Sequence, residues 1–361
     1  MKRLTVRAAS RSYPIMVGRG VLDELGAAVR KLRGAGRVVV LSDANVAPLY
    51  LGRARAGLEQ AGLDVSEVVL PAGEREKSLA RAEELYGVLY DRGLRRSDTL
   101  VALGGGVIGD LGGFVAATFQ RGIGFVQAPT TLLAQVDASV GGKVAVDFRA
   151  GKNYVGTFYQ PNLVVADLAT LDTLPERELR SGAAEAAKHG LLAGGPVLRR
   201  VQQLARAPLV AGAVTQELVA GSIRYKAGVV ERDEQESGLR AVLNLGHTIG
   251  HAIEAATGFR RLSHGEAVAL GLRAALRLSR ELARLPESDE AAGHALLDEL
   301  GLPSRLDGVR AEEVCALIHR DKKARQDGVR YVLLRRLGFP VLGVRVPSEL
   351  ELEVVEWLRT R

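Results

Sequence analysis

Three of the chain's six histidines stand close together in the run "LNLGHTIGHAIEAATGFRRLSHGEAVALG". His247 and His251 are four residues apart in a helix-prone stretch, so they lie on one helix face, and His264 follows. Imidazoles and carboxylates are common zinc ligands, which makes a metal site one interpretation, whereas buried structural histidines are the other. By spacing alone, His247 and His251 are the preferred ligand pair. The H-E-x-x-H pattern of zinc proteases is absent.

A glycine-rich segment, "LVALGGGVIGDLGGF", follows an apolar run that is typical of a strand. Gly104, Gly106 and Gly109 match the G-x-G-x-x-G pattern, in which backbone amides and a helix N-terminus approach a pyrophosphate. The match departs from the usual fingerprint because no acidic residue follows about twenty positions later. Either Asp110 or Asp43 could bind a ribose hydroxyl. Dinucleotide binding is therefore predicted, with an ordinary glycine turn as the alternative.

Polar and basic residues are concentrated between positions 121 and 161, where Lys143, Lys152 and Asn153 stand among glycines. Ammonium and amide groups are donors that suit a phosphate or a carboxylate. The stretch therefore predicts an anion site, with a solvated loop as the alternative.

Two further segments pair a carboxylate with an ammonium. "PAGEREKSL" ends a predicted strand with Glu74 and Lys77, on the side of the sheet where ligands of open α/β sheets bind. "AAEAAKHG" places Glu185 and Lys188 three residues apart, so they share one face of an alanine-rich helix. Surface residues are the alternative for both segments, although the small alanines favour a packed face for the second.

The chain uses arginine far more than lysine. Of 49 lysines and arginines, only nine are lysines. A chain so biased should keep lysine mainly where a compact ammonium cannot be replaced by a planar guanidinium. Lysines in the segments described above are therefore candidates for function.

Length and composition exclude several classes of protein. With 361 residues the chain is long enough for two domains. The net charge of +7 is spread along the sequence and aromatic residues are few, so nucleic-acid binding is not expected and small anionic substrates are favoured. The single cysteine, Cys315, rules out an internal disulfide. No run has the apolar length of a signal peptide or membrane span, and a cytoplasmic protein is expected.

The first half alternates β-branched runs with amphipathic stretches, which predicts βαβ units and a mainly parallel sheet. After Leu174 the residue composition and spacing become typical of helices. We therefore predict a Rossmann-like dinucleotide-binding α/β domain at residues 1–174. An all-α metal- and substrate-binding domain is predicted at 175–361, with a small hairpin near 328–346.

Seven motifs together resemble the 3-dehydroquinate synthase family, in order and over nearly the whole chain. They are "GGGVIGD", "PTTLLAQVDASVGGK", "GKNYVGTFYQP", "SGAAEAAKHG", "LNLGHTIGHAIE", "SHGEAVALG" and "RDKKA". The resemblance implies conversion of 3-deoxy-D-arabino-heptulosonate 7-phosphate to 3-dehydroquinate and phosphate, a step of the shikimate route to aromatic amino acids. It implies transient oxidation by bound NAD, phosphate elimination, re-reduction and an intramolecular aldol closure. One divalent metal is also implied, zinc most often and cobalt as an alternative.

The resemblance also assigns residues, and it corrects the spacing argument. The implied metal ligands are Glu185, His247 and His264, with His251 left as a catalytic residue that relays the C5 proton. The other implied catalytic and substrate residues are Lys143, Asp137, Lys188, Lys226, Arg240, Asn244, Asn153, Arg121, Lys322 and Lys323. The implied NAD residues are Asp43, Asn45, Glu74, Lys77, Gly105, Gly106, Val107, Ile108, Gly109, Asp110, Thr130, Thr131, Lys143, Lys152, Thr170, Leu171 and Thr173.

Arg121 is implied to bind the substrate phosphate of a partner subunit, which makes a homodimer the expected assembly. Arg240 and Asn244 suit the substrate carboxylate and hydroxyls, and one of Lys322 and Lys323 suits the phosphate. The substrate is expected to be a small sugar phosphate, with no nucleic-acid or membrane partner. Other sugar-phosphate cyclases are the nearest alternative, and Arg240 with Asn244 argues against them. Iron-type alcohol dehydrogenases are a more remote alternative, and the lysine set argues against these.

Overall fold

The structure is a computed structural model that describes residues 1–32, 36–149, 151–207, 209–320 and 329–361. Contacts between residues divide it into two compact units. The first contains Met1–Leu174 and Lys226–Gln235, and the second contains Pro175–Tyr225 and Glu236–Arg361. Among the described residues, no helix combines the length and apolar character needed to cross a membrane.

The first unit alternates strands with helices, as the sequence pattern predicts. Its strands are β1 (Lys2–Arg7), β2 (Ser12–Gly18), β3 (Arg37–Asp43), β4 (Asp64–Leu70), β5 (Thr99–Gly104), β6 (Gly124–Pro129), β7 (Lys143–Phe148), β8 (Gly151–Phe158) and β9 (Leu163–Asp167). Its helices are α1 (Leu25–Arg30), α2 (Gly52–Gln60), α3 (Leu79–Asp91) and α4 (Gly106–Thr118).

The main sheet has the strand order β1-β2-β9-β6-β5-β3-β4. Only β1 runs antiparallel to its neighbour, and the other pairs are parallel. In the pairing of β5 with β6, Gly104 lies opposite Pro129, so the glycine-rich segment and the threonines after β6 leave the sheet at the same edge.

Both faces of this sheet are buried. Successive residues of a strand point to opposite faces, so Val38 and Val40 of β3 pack with α1 and α2. Val39 and Leu41 pack on the other face with α3 and α4. Burial on both faces explains why β3 and β5 are continuous apolar runs rather than alternating ones. The Rossmann-like fold predicted for this half is therefore confirmed.

Two strands of the first unit form a separate antiparallel hairpin. β7 pairs with β8, from Lys143 opposite Phe158 to Phe148 opposite Gly151. The sequence predicts an anion site in this stretch, with a solvated loop as the alternative, and no hairpin was predicted. The residue pattern of β8 does not predict a strand, because β8 is mostly exposed and lacks the apolar alternation of a half-buried strand.

The second unit is built mainly from helices. They are α5 (Glu176–Ala193), α6 (Gly195–Ala205), α7 (Gln216–Val230), α8 (His247–Ala256), α9 (His264–Ala283), α10 (Glu287–Glu299), α11 (Ala311–Arg320) and α12 (Ser348–Thr360). The end of α7 belongs to the first unit. β10 (Tyr331–Arg336) and β11 (Phe339–Val344) pair as an antiparallel hairpin. The hydrophobic core of the second unit contains Ile253, Leu270, Val314, Leu333 and Val355.

The division differs from the predicted domain boundary in one segment. Residues 226–235 were expected in the second domain, but they belong to the first unit. Lys226 Nζ lies 2.9 Å from Asp137 Oδ1, and the backbone amide of Arg7 donates to Glu231 Oε1 at 2.7 Å. Such long-range contacts leave no trace in local sequence pattern, so the chain's return to the first unit could not be predicted.

Candidate metal and cofactor sites

Three side chains of the second unit converge as a candidate metal site. Glu185 Oε1 lies 3.2 Å from His264 Nε2 and 3.4 Å from His247 Nε2. One candidate ligand atom from each of the three lies within 4.8 Å of the other two. Two imidazoles and one carboxylate form a set that binds zinc and leaves positions for a substrate oxygen. The donor set therefore fits a divalent metal.

Close backbone approaches bring these three residues together. A Cβ on Gly265 would lie 2.2 Å from the carbonyl oxygen of Ser181, and one on Gly271 would lie 1.9 Å from that of Gly246. Glycine is therefore required where α9 packs against α5 and against the start of α8. Ser263 caps α9 through a capping box with Glu266, which fixes His264 at the first residue of that helix.

The charges around the site favour a bound cation. Burial alone would raise the pKa of Glu185, but an ion pair with Lys188 and the contact with His247 hold it well below its ordinary value. Burial would lower the pKa of His264, yet Glu185 and Glu254 outweigh it and raise that pKa to about 9. Two carboxylates thus stabilise positive charge at this point, as a metal site requires.

The histidine pair preferred by spacing is not the pair that contacts Glu185. The rings of His247 and His251 are 5.1 Å apart and edge-on, and His251 is exposed. His251 belongs instead to a second cluster with Glu254 and His264. Helical spacing identifies residues that share a face, but it cannot show which of them meets a carboxylate from another helix.

The segment before His247 carries the predicted carboxylate-binding residues. Arg240 is buried in the short helical turn Leu239–Asn244. The Asn244 amide donates to Glu236 Oε1 at 3.1 Å, and Glu236 has a left-handed φ of 56°. Glu236 was not predicted from the sequence, where its position shortly before Arg240 and Asn244 is the signal that points to it.

In the first unit, the glycine-rich segment joins β5 to α4 and starts the helix at Gly106. Gly105 caps the helix, and Val107, Ile108 and Gly109 complete its first turn. A Cβ on Gly109 would lie 2.8 Å from Gln127 Oε1, so this glycine permits close packing of helix on sheet. The free start of α4, at the carboxyl end of β5, is the geometry that binds a dinucleotide phosphate.

Charged residues surround that helix start. Lys77 is 4% exposed; its ammonium lies 2.6 Å from Asp110 Oδ2 and also contacts Asn153 Oδ1. Burial would lower the pKa of Lys77, but Asp110 outweighs it and raises that pKa. Lys152 Nζ lies 3.7 Å from Glu74 Oε1. The segment with Glu74 and Lys77 therefore lies beside the segment with Lys152 and Asn153, although the two are far apart in sequence.

The remaining predicted NAD residues lie at three places in this unit. Thr130 follows β6, and its amide donates to the carbonyl of Gly104 at 3.0 Å, while Thr131 accepts from the amide of Ala134 at 3.2 Å. Asp43 accepts from the amide of Asn45 at 2.9 Å at the end of β3. The third place is the turn Leu168–Thr173, which contains Thr170, buried Leu171, and Thr173 beside the Tyr50 hydroxyl at 2.7 Å.

Three other predicted residues are also placed. Lys143 is exposed at the start of β7. Asp137 is held by Lys226, whose ammonium also donates to the Asp137 carbonyl at 2.8 Å. Lys322 and Lys323 lie outside the described residues.

Arg121 lies at the edge of the main sheet opposite to the one where Thr130 lies. It precedes β6, whereas Thr130 follows it. Both Gln120 (φ 49°) and Arg121 (φ 62°) have left-handed backbones, and the side-chain Nε2 of Gln120 donates to the carbonyl of Leu94 at 2.9 Å. Arg121 lines a cavity of about 370 Å³ together with Arg11 and Arg96.

Solved structures place this architecture among NAD-binding sugar-phosphate cyclases. One similar structure is 2-deoxy-scyllo-inosose synthase with carbaglucose-6-phosphate, NAD⁺ and Co²⁺ (TM-score 0.88, 26% identity, 98% of this chain and 99% of that one). Another is 2-epi-5-epi-valiolone synthase from Streptomyces hygroscopicus subsp. jinggangensis with NAD⁺ and Zn²⁺ (TM-score 0.87, 25% identity, 96% and 97%).

Sequence comparison defines the family. The N-terminal 3-dehydroquinate synthase model matches residues 67–181, and the C-terminal model matches 182–324. The 3-dehydroquinate synthase of Symbiobacterium thermophilum is 48% identical over 349 residues, 96% of each chain. The chain belongs to the 3-dehydroquinate synthase family, as its motifs indicated.

Proposed function

We propose that the protein converts 3-deoxy-D-arabino-heptulosonate 7-phosphate to 3-dehydroquinate and phosphate, with NAD and one divalent metal ion. The observation that carries this proposal is the convergence of Glu185, His247 and His264 in a member of this family. NAD supplies a hydride acceptor that is regenerated, and the metal, zinc or cobalt, supplies a Lewis acid.

The first unit provides the residues for NAD. The start of α4 at Gly106 suits the pyrophosphate. Lys77 and Asp110 border it as an ion pair, and Lys152 brings a second ammonium beside Glu74. Asp43 and Asn45, at the end of β3, are assigned to the adenosine end, and Thr130, Thr131 and the turn Leu168–Thr173 to the other contacts.

The substrate residues divide by the group they bind. Arg240 and Asn244 are assigned to the carboxylate and hydroxyls, because a guanidinium and an amide donate to both. Lys143, Asn153 and one of Lys322 and Lys323 are assigned to the phosphate. His251 is exposed one turn beyond His247, so its ring can pass the C5 hydroxyl proton to solvent. Lys188 keeps Glu185 ionised as a ligand, and Lys226 orients Asp137.

A homodimer completes the site in this proposal. The six residues of β6 span about 20 Å, so Arg121 lies far from Thr130 and the start of α4, at the edge of the sheet assigned to NAD. Its constrained turn instead presents it at the other edge of the sheet, in a cavity with Arg11 and Arg96. Arg121 would therefore bind the substrate phosphate of a second copy. The single cysteine fits a cytoplasmic enzyme.

Phosphate release tests the proposal. The purified protein is given the heptulosonate phosphate with catalytic NAD and zinc, before and after chelation, and absorbance at 340 nm is followed. We expect metal-dependent phosphate release with no net NADH. Release only from a different sugar phosphate would indicate another cyclase, and stoichiometric NADH would indicate a dehydrogenase. A His247→Ala variant provides the control for metal dependence.

A further inference from the structure

Both candidate metal-binding histidines have each ring nitrogen in contact with an acceptor. His247 Nδ1 lies 3.1 Å from the carbonyl oxygen of Leu245. His264 Nδ1 lies 3.1 Å from Glu254 Oε2. On both rings the other nitrogen, Nε2, faces Glu185 Oε1.

These contacts decide which nitrogen of each ring can bind a metal. A neutral imidazole carries one N–H, and a carbonyl oxygen or ionised carboxylate can only accept. Leu245 therefore requires the proton of His247 on Nδ1, and Glu254 requires the same of His264. Nε2 of each ring faces Glu185, the third candidate ligand, so a metal ion bound there would take the place of any proton on Nε2, and both Nε2 lone pairs would then face the ion.

Glu254 differs from Leu245 because it brings a charge into the interior. It is 3% exposed and comes from α8, one turn after His251, whereas His264 begins α9. Burying a carboxylate is costly unless a partner compensates it. A carboxylate that accepts from a metal-bound imidazole orients the ring and makes the ligand more basic.

We propose that Glu254 is a positioning residue for the metal. It holds His264 as the Nδ1–H tautomer, fixes the ring with Nε2 towards Glu185, and strengthens metal binding without ligating the ion. This inference rests on the metal set of the proposed function. The competing arrangement, in which Glu254 itself binds the ion with His251 and His264, has its atoms equally close and makes different predictions.

Zinc affinity measured against a chromophoric chelator separates these cases. Glu254→Ala should weaken zinc binding by about 10- to 100-fold. Glu254→Gln should weaken it less, because the amide oxygen still accepts from Nδ1–H but carries no charge. Glu290→Gln is a matched control, since Glu290 is also buried and lies 3.7 Å from His294, and it should leave zinc affinity unchanged.

Three outcomes would overturn the inference. Wild-type zinc affinity in both Glu254 variants would show that the contact has no effect. A loss in Glu254→Gln as complete as in His264→Ala would make Glu254 a ligand. A larger loss in His251→Ala than in His247→Ala would select the competing arrangement.

Different results would contradict the proposed function and this inference. If the wild-type chain takes up no zinc, or if Glu185→Gln and His247→Ala bind it normally, the metal set itself is wrong. If Glu254→Ala does not fold, the isosteric Glu254→Gln decides the question. Nitrogen NMR of His264 adds a readout independent of activity, because the Nδ1 proton should exchange faster in both Glu254 variants.

Discussion

The ammonium of Lys77 lies 2.6 Å from Asp110 Oδ2 and links the turn after β4 to the start of the second turn of α4. Lys77 also contacts Asn153, on the hairpin strand β8. One buried side chain therefore ties together three segments that are far apart in sequence, all at the edge of the sheet assigned to NAD.

Lys77→Met should destabilise the protein by about 3 kcal/mol, because it leaves the Asp110 carboxylate without its counter-charge in a largely buried position. The free energy of unfolding from urea denaturation measures this. The double variant Lys77→Met/Asp110→Asn should lose less than the sum of the two single losses. Arg55→Gln, which breaks an exposed ion pair with Glu59, should cause no measurable change. Additive losses would contradict the coupling.

Lys152→Arg should fold with near-native stability and lose at least tenfold in turnover. Lys152 is partly exposed beside Glu74, so the protein can accommodate the larger guanidinium, but the position of the charge towards the cofactor changes. Steady-state phosphate release and thermal unfolding are the two measurements. Lys31→Arg, at an exposed lysine outside the predicted site, should be fully active. If Lys152→Arg were equally active, the inference from lysine usage would be wrong.

Mixing two inactive variants should restore activity if Arg121 acts on a partner subunit. Arg121→Ala lacks the arginine and His247→Ala lacks a metal ligand, but a mixed dimer contains one site with both intact. Co-expression should therefore recover about a quarter of wild-type activity, since half of the dimers are mixed and each has one working site. No recovery, with mixed dimers shown to form, would place Arg121 in the site of its own chain.

Acid should destabilise the protein partly through His294. Burial and the nearby guanidiniums of Arg361 and Arg273 lower its pKa from 6.5 to about 4; Glu290, Asp298 and Arg277 also face it. The depressed pKa favours the neutral ring in the folded state. Stability is therefore full above pH 6.5 and is lost as the pH falls towards 4, by about 3 kcal/mol in total.

His294→Gln removes this titration. Its free energy of unfolding should fall less than that of the wild type between pH 7 and pH 4.5, in denaturant titrations of the metal-free protein. Parallel curves for the two proteins would show that His294 titrates normally.

The sequence by itself determined the parallel sheet and the residue types of the site. Apolar runs such as β3 and β5 are continuous because both faces of the sheet are covered. Glycines within α4, such as Gly109 and Gly113, appear in the sequence because the helix and the strands approach too closely there for a side chain. These features are local in the chain or follow from its periodicity, so pattern alone is enough to predict them.

Only the tertiary structure decided which side chains meet. Spacing favoured His247 with His251, but α5 and the first residue of α9 bring Glu185 and His264 to His247 instead. Glu236 and Glu254 were not predicted, because each acts through a neighbour that folding places beside it. Residues 226–235 return to the first unit through ion pairs and hydrogen bonds across more than eighty residues. Contacts of that range depend on how whole helices pack, which no local pattern records.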